Sequence, residues 1–146
     1  MVNRSMTTGG PVPRGDVRAQ MRQIAAVPAL ADAPAALLSD LASFGHVVRI
    51  RPRWAMIAEQ TAADKAYVLL DGEVDVRRHG VEVNHCTSGD FLGEVGIVQR
   101  RLRSATVVTA SDVTALHLDR SAFEHLYAGH RYFRAVVDAA MERKTA

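Results

Sequence analysis

Between His46 and Leu118 the sequence is cut into short β-prone runs, each bounded by a turn signal. Val47–Ile50 stops at Pro52, and Tyr67–Leu70 stops at Asp71-Gly72. Val74 and Val76, then Val81 and Val83, alternate with polar neighbours on either side of His79-Gly80. After Ser88-Gly89-Asp90 come two further runs, Ala105–Val108 and Val113–Leu118. Strands this short and this regularly spaced predict a small barrel or sandwich. Trp54 and Tyr67 fall among these runs and are expected to pack rather than to stack on a ligand. The pair Arg77-Arg78 is expected on a solvated strand edge.

Both ends of the chain carry helical patterns instead. Asp16 is a candidate N-cap for a helix with Val17, Met21 and Ile24 on one face. Asp32-Ala33-Pro34 predicts a second start, with Leu37, Leu38, Leu41 and Phe44 as its apolar stripe and Gly45 as its end. Beyond the β region, Ser121 and Glu124 have the spacing of a capping box. Gly129 breaks that helix, and a last one is expected over Arg131–Lys144, with Phe133, Val136, Val137, Ala140 and Met141 on one side. The expected organisation is a flexible, Gly- and Pro-containing tail over residues 1–15 and one domain over 16–146. Within the domain, helices occupy 16–45, the β region 46–118 and helices again 119–146.

Composition narrows the function classes. The chain has 146 residues, 48% hydrophobic and 23% charged, enough for one globular domain with a real core. Eighteen basic residues against sixteen acidic ones, a net charge of +2, admit an anionic ligand without the basic excess of a nucleic-acid binder. No apolar run approaches the roughly 18 residues of a membrane span. Cys86 stands alone, so no internal disulfide forms, which fits a reducing, cytoplasmic setting. His125 and His130, five apart, do not share a helix face, His85-Cys86 is adjacent rather than at a common zinc spacing, and neither a phosphate-binding P-loop nor a G-x-S-x-G elbow occurs. The expectation is therefore no metal and no catalysis.

The chemistry concentrates in Gly89–Val107, GDFLGEVGIVQRRLRSATV. Gly93 and Gly96 bracket Glu94, which brings backbone N–H groups to a turn where a phosphate fits. Glu94 is an acceptor for a sugar hydroxyl. Arg103, nine residues on, offers paired donors to a phosphate, with the Ser104 hydroxyl beside it. Two readings stay open on the residues alone. One is a pocket for a small phosphorylated sugar. The other has glycines that only turn the chain, a Glu94–Arg103 ion pair and a solvated Ser104.

This stretch resembles the phosphate-binding cassette of the cyclic nucleotide-binding domains. It matches the family's F-G-E-[LIV]-[AG]-L pattern at Leu92–Ile97 and its P-R-[STA]-A-T-V pattern at Leu102–Val107. The similarity runs from about residue 24 to 144 and includes Gly72-Glu73-Val74 and Asp119–Phe123. It implies a mainly β fold with flanking helices, a β-roll of the double-stranded β-helix or jelly-roll kind.

It also implies residue roles. Gly93, Val95 and Gly96 present backbone to the cyclic phosphate, and Glu94 takes the ribose 2′-hydroxyl. Arg103 pairs with a phosphate oxygen, and Ser104 with the Ala105 N–H completes the cradle. Val83 and Leu92 wall the purine, and Arg134, Val137 or Met141 caps it from the last helix. The implied ligand is cyclic AMP, with cyclic GMP the alternative, bound by a stand-alone regulator that signals through its C-terminal helices to an unidentified protein effector. A homodimer through the last helix is one implied arrangement; direct DNA binding and membrane association are not expected. The competing expectation is a module of the same fold that docks partners and takes no ligand.

Four departures bear on that choice. Leu102 replaces the family's proline, Arg100-Arg101 replace a Gly-Gly, and Arg53 and Gln60 stand where glycine is common. Altered loops are expected at these places, with Arg100 and Arg101 either raising the local positive potential or simply solvated.

Overall fold

The computed structural model describes residues 14–145. The tail expected over 1–15 thus lies, up to residue 13, outside the described residues. Helix α1 spans Arg14–Ala25, so Asp16 lies inside it and is not its cap. A 3-10 turn at Pro28–Leu30 leads to α2, Ala35–Phe44. Pro34 sits at the N-cap of α2 without a side-chain hydrogen bond, so Asp32 does not cap it, and Gly45 closes its other end.

Eight strands follow: β1 His46–Ile50, β2 Ala55–Ile57, β3 Lys65–Asp71, β4 Val74–Arg78, β5 Val81–Cys86, β6 Phe91–Leu92, β7 Thr106–Thr109 and β8 Val113–Asp119. The five-residue helix α3, Glu94–Val98, separates β6 from β7, and α4, Arg120–Gly129, and α5, Arg131–Thr145, end the chain.

The strands form two antiparallel four-stranded sheets, ordered β1-β8-β3-β6 and β2-β7-β4-β5. Every connection except the β4–β5 hairpin passes from one sheet to the other, which makes the expected β-roll. That hairpin turns at His79 (φ 53°) and Gly80 (φ 80°), both left-handed, as a two-residue turn between twisted strands requires. Strand β4 pairs with β7 on one side and β5 on the other, so Arg77 is not on a sheet edge as expected, whereas Arg78 lies one residue past the β7 pairing; both are exposed.

The first sheet is buried on both faces, which is why β3 and β8 read as nearly continuous apolar runs. Tyr67, Leu69 and Ala115 point between the sheets with Ile50, Met56, Leu92 and Val107. Ala66, Val68, Leu116 and Leu118 point outward and meet Leu37 and Leu41 of α2, Phe123 of α4, and Phe133 and Val137 of α5. Phe133 lies edge-on to both Phe91 (5.9 Å between ring centres) and Phe123 (5.5 Å). α5 is thereby fixed against β6, the strand that leads into the cassette. Phe44 departs from its stripe: it is exposed and meets His125 at 5.1 Å.

The loops expected to change shape at the missing glycines keep the left-handed turn. Arg53 (φ 64°), Gln60 (φ 64°) and Arg100 (φ 53°) all hold the backbone conformation that favours glycine. Backbone hydrogen bonds hold them there, the Arg100 N–H donating to Ile97 O at 3.3 Å. The Arg53 N–H donates to Thr109 O at 2.8 Å, and the Gln60 N–H to Arg103 O at 2.8 Å.

Candidate functional site

A cleft of about 280 Å³ opens between β4–β5, the β6–α3 turn, the segment before β7 and the end of α5. Gly93 makes the turn into α3 with φ 86°, a region disfavoured for side chains. Space demands glycine there too: a Cβ would lie 2.6 Å from Arg103 Nη1 and 3.1 Å from Lys65 O. At Gly96 a Cβ would meet Ala63 Cβ at 2.9 Å. The two glycines therefore let the α3 backbone close onto the Arg103 side chain. The first N–H groups of a helix have no intrahelical acceptor, and the Gly93 turn that starts this one lines the cleft.

Arg103 lies at the cleft with only 4% of its surface exposed. The loop of residues 58–64 grips its backbone: Gln60 N–H donates to Arg103 O, and Arg103 N–H donates to Thr61 O at 2.9 Å. Its guanidinium donates from Nη1 to Gly93 O at 2.6 Å and from Nη2 to Lys65 O. The Asp64 carboxylate, largely exposed, stands 3.8 Å away, beyond hydrogen-bond range. The expected alternative of a Glu94–Arg103 ion pair is not what forms. Burial pulls the Arg103 pKa below its ordinary value, and Asp64 only partly opposes this. A buried cation with so distant a counter-ion favours an added anion.

Glu94 has no exposed surface. Its Oε1 accepts from Lys144 Nζ of α5 at 2.5 Å, and the same ammonium donates to Phe91 O at 2.6 Å. Its Oε2 is buried without a hydrogen-bond partner among the described residues. The carboxylate sits behind the cleft wall, and Lys144 is among the residues that form that wall.

Leu92, Gly93, Val95, Gly96, Arg103, Ser104, Ala105 and Val83 all line this one cleft, as the sequence reading grouped them. Val76 and Val107, paired across β4 and β7, and Ile57 add apolar wall. The candidate base caps do not belong to the lining. Val137 is fully buried in the helical core, and Met141 packs against that core half-buried. Arg134 lies over the Tyr127 ring at 4.7 Å and donates to Tyr127 O at 3.3 Å. From α5 it is Arg143 and Lys144 that reach the cleft. Sequence reasoning missed both, together with Arg78, which lines the cleft and donates to Ser104 O at 3.1 Å. Continuing the stripe Phe133–Val137–Ala140 by one more step of four residues arrives at Lys144 and was the available signal.

Two further titratable groups lie buried near the site. Burial raises the Cys86 thiol to about 11, which leaves it inert. Tyr67, buried against Arg103, is raised by the same cause. Among the described residues no cluster of three or more His, Cys, Asp and Glu side chains suits a metal ion, and no helix is long and apolar enough to cross a membrane.

A family model described as the cyclic nucleotide-binding domain matches residues 47–130. The cAMP-dependent protein kinase regulatory subunit of Aspergillus niger is 36% identical over 73 residues, 49% of this chain and 18% of that protein. The cGMP-dependent protein kinase egl-4 of Caenorhabditis elegans is 31% identical over 85 residues, 58% of this chain and 11% of that one. The chain thus spans less than a fifth of either relative's length.

Among solved structures, one described as PKAR CBD2 bound to Sp-2Cl-cAMPS matches with a TM-score of 0.77 at 18% identity, over 90% of this chain and 88% of its own. The regulatory subunit of a cAMP-independent protein kinase A from Trypanosoma brucei matches with a TM-score of 0.76 at 20% identity, over 90% of this chain and 46% of its own.

Proposed function

The chain belongs to the cyclic nucleotide-binding domain family, and from that premise we propose that its cleft binds a cyclic mononucleotide, cyclic AMP before cyclic GMP, as a regulatory signal. The observation that carries this reading is Arg103: a guanidinium almost fully buried at the cleft, with its nearby carboxylate 3.8 Å off. Two backbone carbonyls orient it, and its remaining N–H groups are donors for one phosphate oxygen. The Gly93 turn and the Ala105 N–H complete the cradle, Glu94 Oε2 is the acceptor for the ribose 2′-hydroxyl, and Val83, Val76 and Leu92 wall the base. The reading is of a binding module without catalysis. Its output is a shift in the population of α5 positions about the Gly129–His130 junction, where His130 Nε2 meets Asp40 of α2 at 2.8 Å.

The test is a thermal-shift titration of the chain and of Arg103→Ala with cyclic AMP, cyclic GMP and 5′-AMP. Ligand at about 100 times its Kd adds roughly 2.7 kcal/mol to stability, which a melting curve resolves. We expect a shift with cyclic AMP, a smaller one with cyclic GMP, none with 5′-AMP, and none in Arg103→Ala. The absence of any shift at millimolar ligand overturns the reading. That result favours a partner-docking module that takes no ligand. This second reading draws support from the contact Glu94 already makes with Lys144, and from the likeness to a subunit of a kinase described as cAMP-independent.

A further inference from the structure

The Glu94 carboxylate is fully buried and absent from the cleft lining, whereas Lys144, with 29% of its side-chain surface in solvent, forms part of that lining. Lys144 Nζ bridges Glu94 Oε1 at 2.5 Å and Phe91 O at 2.6 Å. The ammonium is delivered by a rigid element, because Phe133, Val137 and Ala140 of α5 are all buried in the helical core. Lys144 lies four residues past Ala140 on the same helical face.

We propose that Lys144 is a displaceable plug of the sugar subsite: it covers the fully buried Glu94 from the cleft side, and it must move aside before a ribose hydroxyl reaches the open Oε2. This rests on the function proposed above and adds its coupling step. A hydroxyl that recruits Glu94 breaks the Lys144 contact between the end of α5 and α3. A ligand without that hydroxyl leaves the plug seated. The cleft therefore distinguishes its ligands by whether they free the end of α5, beyond whether they bind.

Three measurements on the full chain test this. The first is calorimetric affinity of wild type and Lys144→Met for cyclic AMP and its 2′-deoxy analogue. If the plug is seated in about nine molecules of ten, removing it tightens cyclic AMP binding about tenfold and leaves the 2′-deoxy analogue unchanged. A weaker cyclic AMP affinity in Lys144→Met overturns the plug, because it makes Lys144 a clasp that helps the ligand. The second is hydrogen exchange of the last turn of α5, expected to speed up on adding cyclic AMP; slowing overturns the proposal. The third needs no ligand: exchange in Glu94→Gln and Lys144→Met, expected to rise in both, with no further rise in the double variant. Unchanged exchange in Glu94→Gln overturns the plug while leaving the ligand reading intact. No binding by wild type or Lys144→Met overturns the ligand reading, and the plug with it.

Discussion

Arg53 and Gln60 carry a conformational cost that their neighbours hold in place. Each has φ 64°, where a Cβ crowds its own backbone. The departure from glycine was visible in the sequence, and the expected consequence, a reshaped loop, was wrong for a local reason. Gln60 cannot leave the left-handed turn without giving up its N–H bond to Arg103 O, and Arg53 without losing its bond to Thr109 O. Glycine relieves the crowding but adds chain entropy to the unfolded state, so the net gain is modest. Arg53→Gly and Gln60→Gly are each expected to raise unfolding stability by roughly 0.5–1 kcal/mol, read as a higher urea midpoint at unchanged slope. A fall in either midpoint would show that the side chain, not the backbone, sets the balance there. Glu94 and Arg103 were legible as a pair of residue types at a fixed spacing. Their partners were not, because Lys65 O, Asp64 and Lys144 come from elements 38 to 50 residues away or, for Asp64, from the loop before β3.

Among the elements, the existence of helices and strands was legible and their ends were less so. Strands run from His46 to Asp119 and α4 ends at Gly129, where turn residues and periodicity are local signals. Caps depend on where the preceding segment points, and there the reading failed. Strand β8 runs straight into α4, so Asp119, its last residue, becomes the N-cap and accepts from Ala122 N–H at 2.7 Å. Ser121 is already inside the helix, and Glu124 reaches Arg120 at 3.6 Å instead of closing a capping box. Asp119→Ala is expected to cost about 1 kcal/mol, while Ser121→Ala stays within about 0.5 kcal/mol, both by denaturant unfolding. Equal losses would restore the capping box. The same kind of limit explains the base-cap candidates. A helical stripe identifies the face of α5 that is buried, but that face meets the core along most of its length and reaches the cleft only at its end.

For the molecule as a whole, the doubly buried sheet has a consequence for its pH dependence. His117 on β8 lies between His46 of β1 and Tyr67 of β3, nearly buried, with Nδ1 lacking a partner among the described residues. Burial first, and the Lys65 charge next, lower its pKa from the ordinary 6.5. The folded chain then binds fewer protons than the unfolded chain, so this histidine makes stability fall as pH drops below 6.5 toward its folded value. His85 acts in the other direction. On the exposed face of β5 it bonds Asp75 at 2.9 Å and Glu73 at 2.8 Å, and those bonds raise its pKa. Its contribution is complete below 6.5 and is lost as pH rises through its raised folded value.

The two histidines thus work on opposite sides of one pH, and the stability they jointly set peaks near it. Denaturant unfolding across a pH series checks this through slopes, which are insensitive to the fixed cost of a substitution. His117→Gln is expected to flatten the acid limb and leave the other unchanged, and His85→Gln to do the reverse. An acid limb that keeps its slope in His117→Gln would mean that this histidine takes up a proton without leaving the sheet, and that the space between the two sheets beside Tyr67 admits more water than its packing indicates.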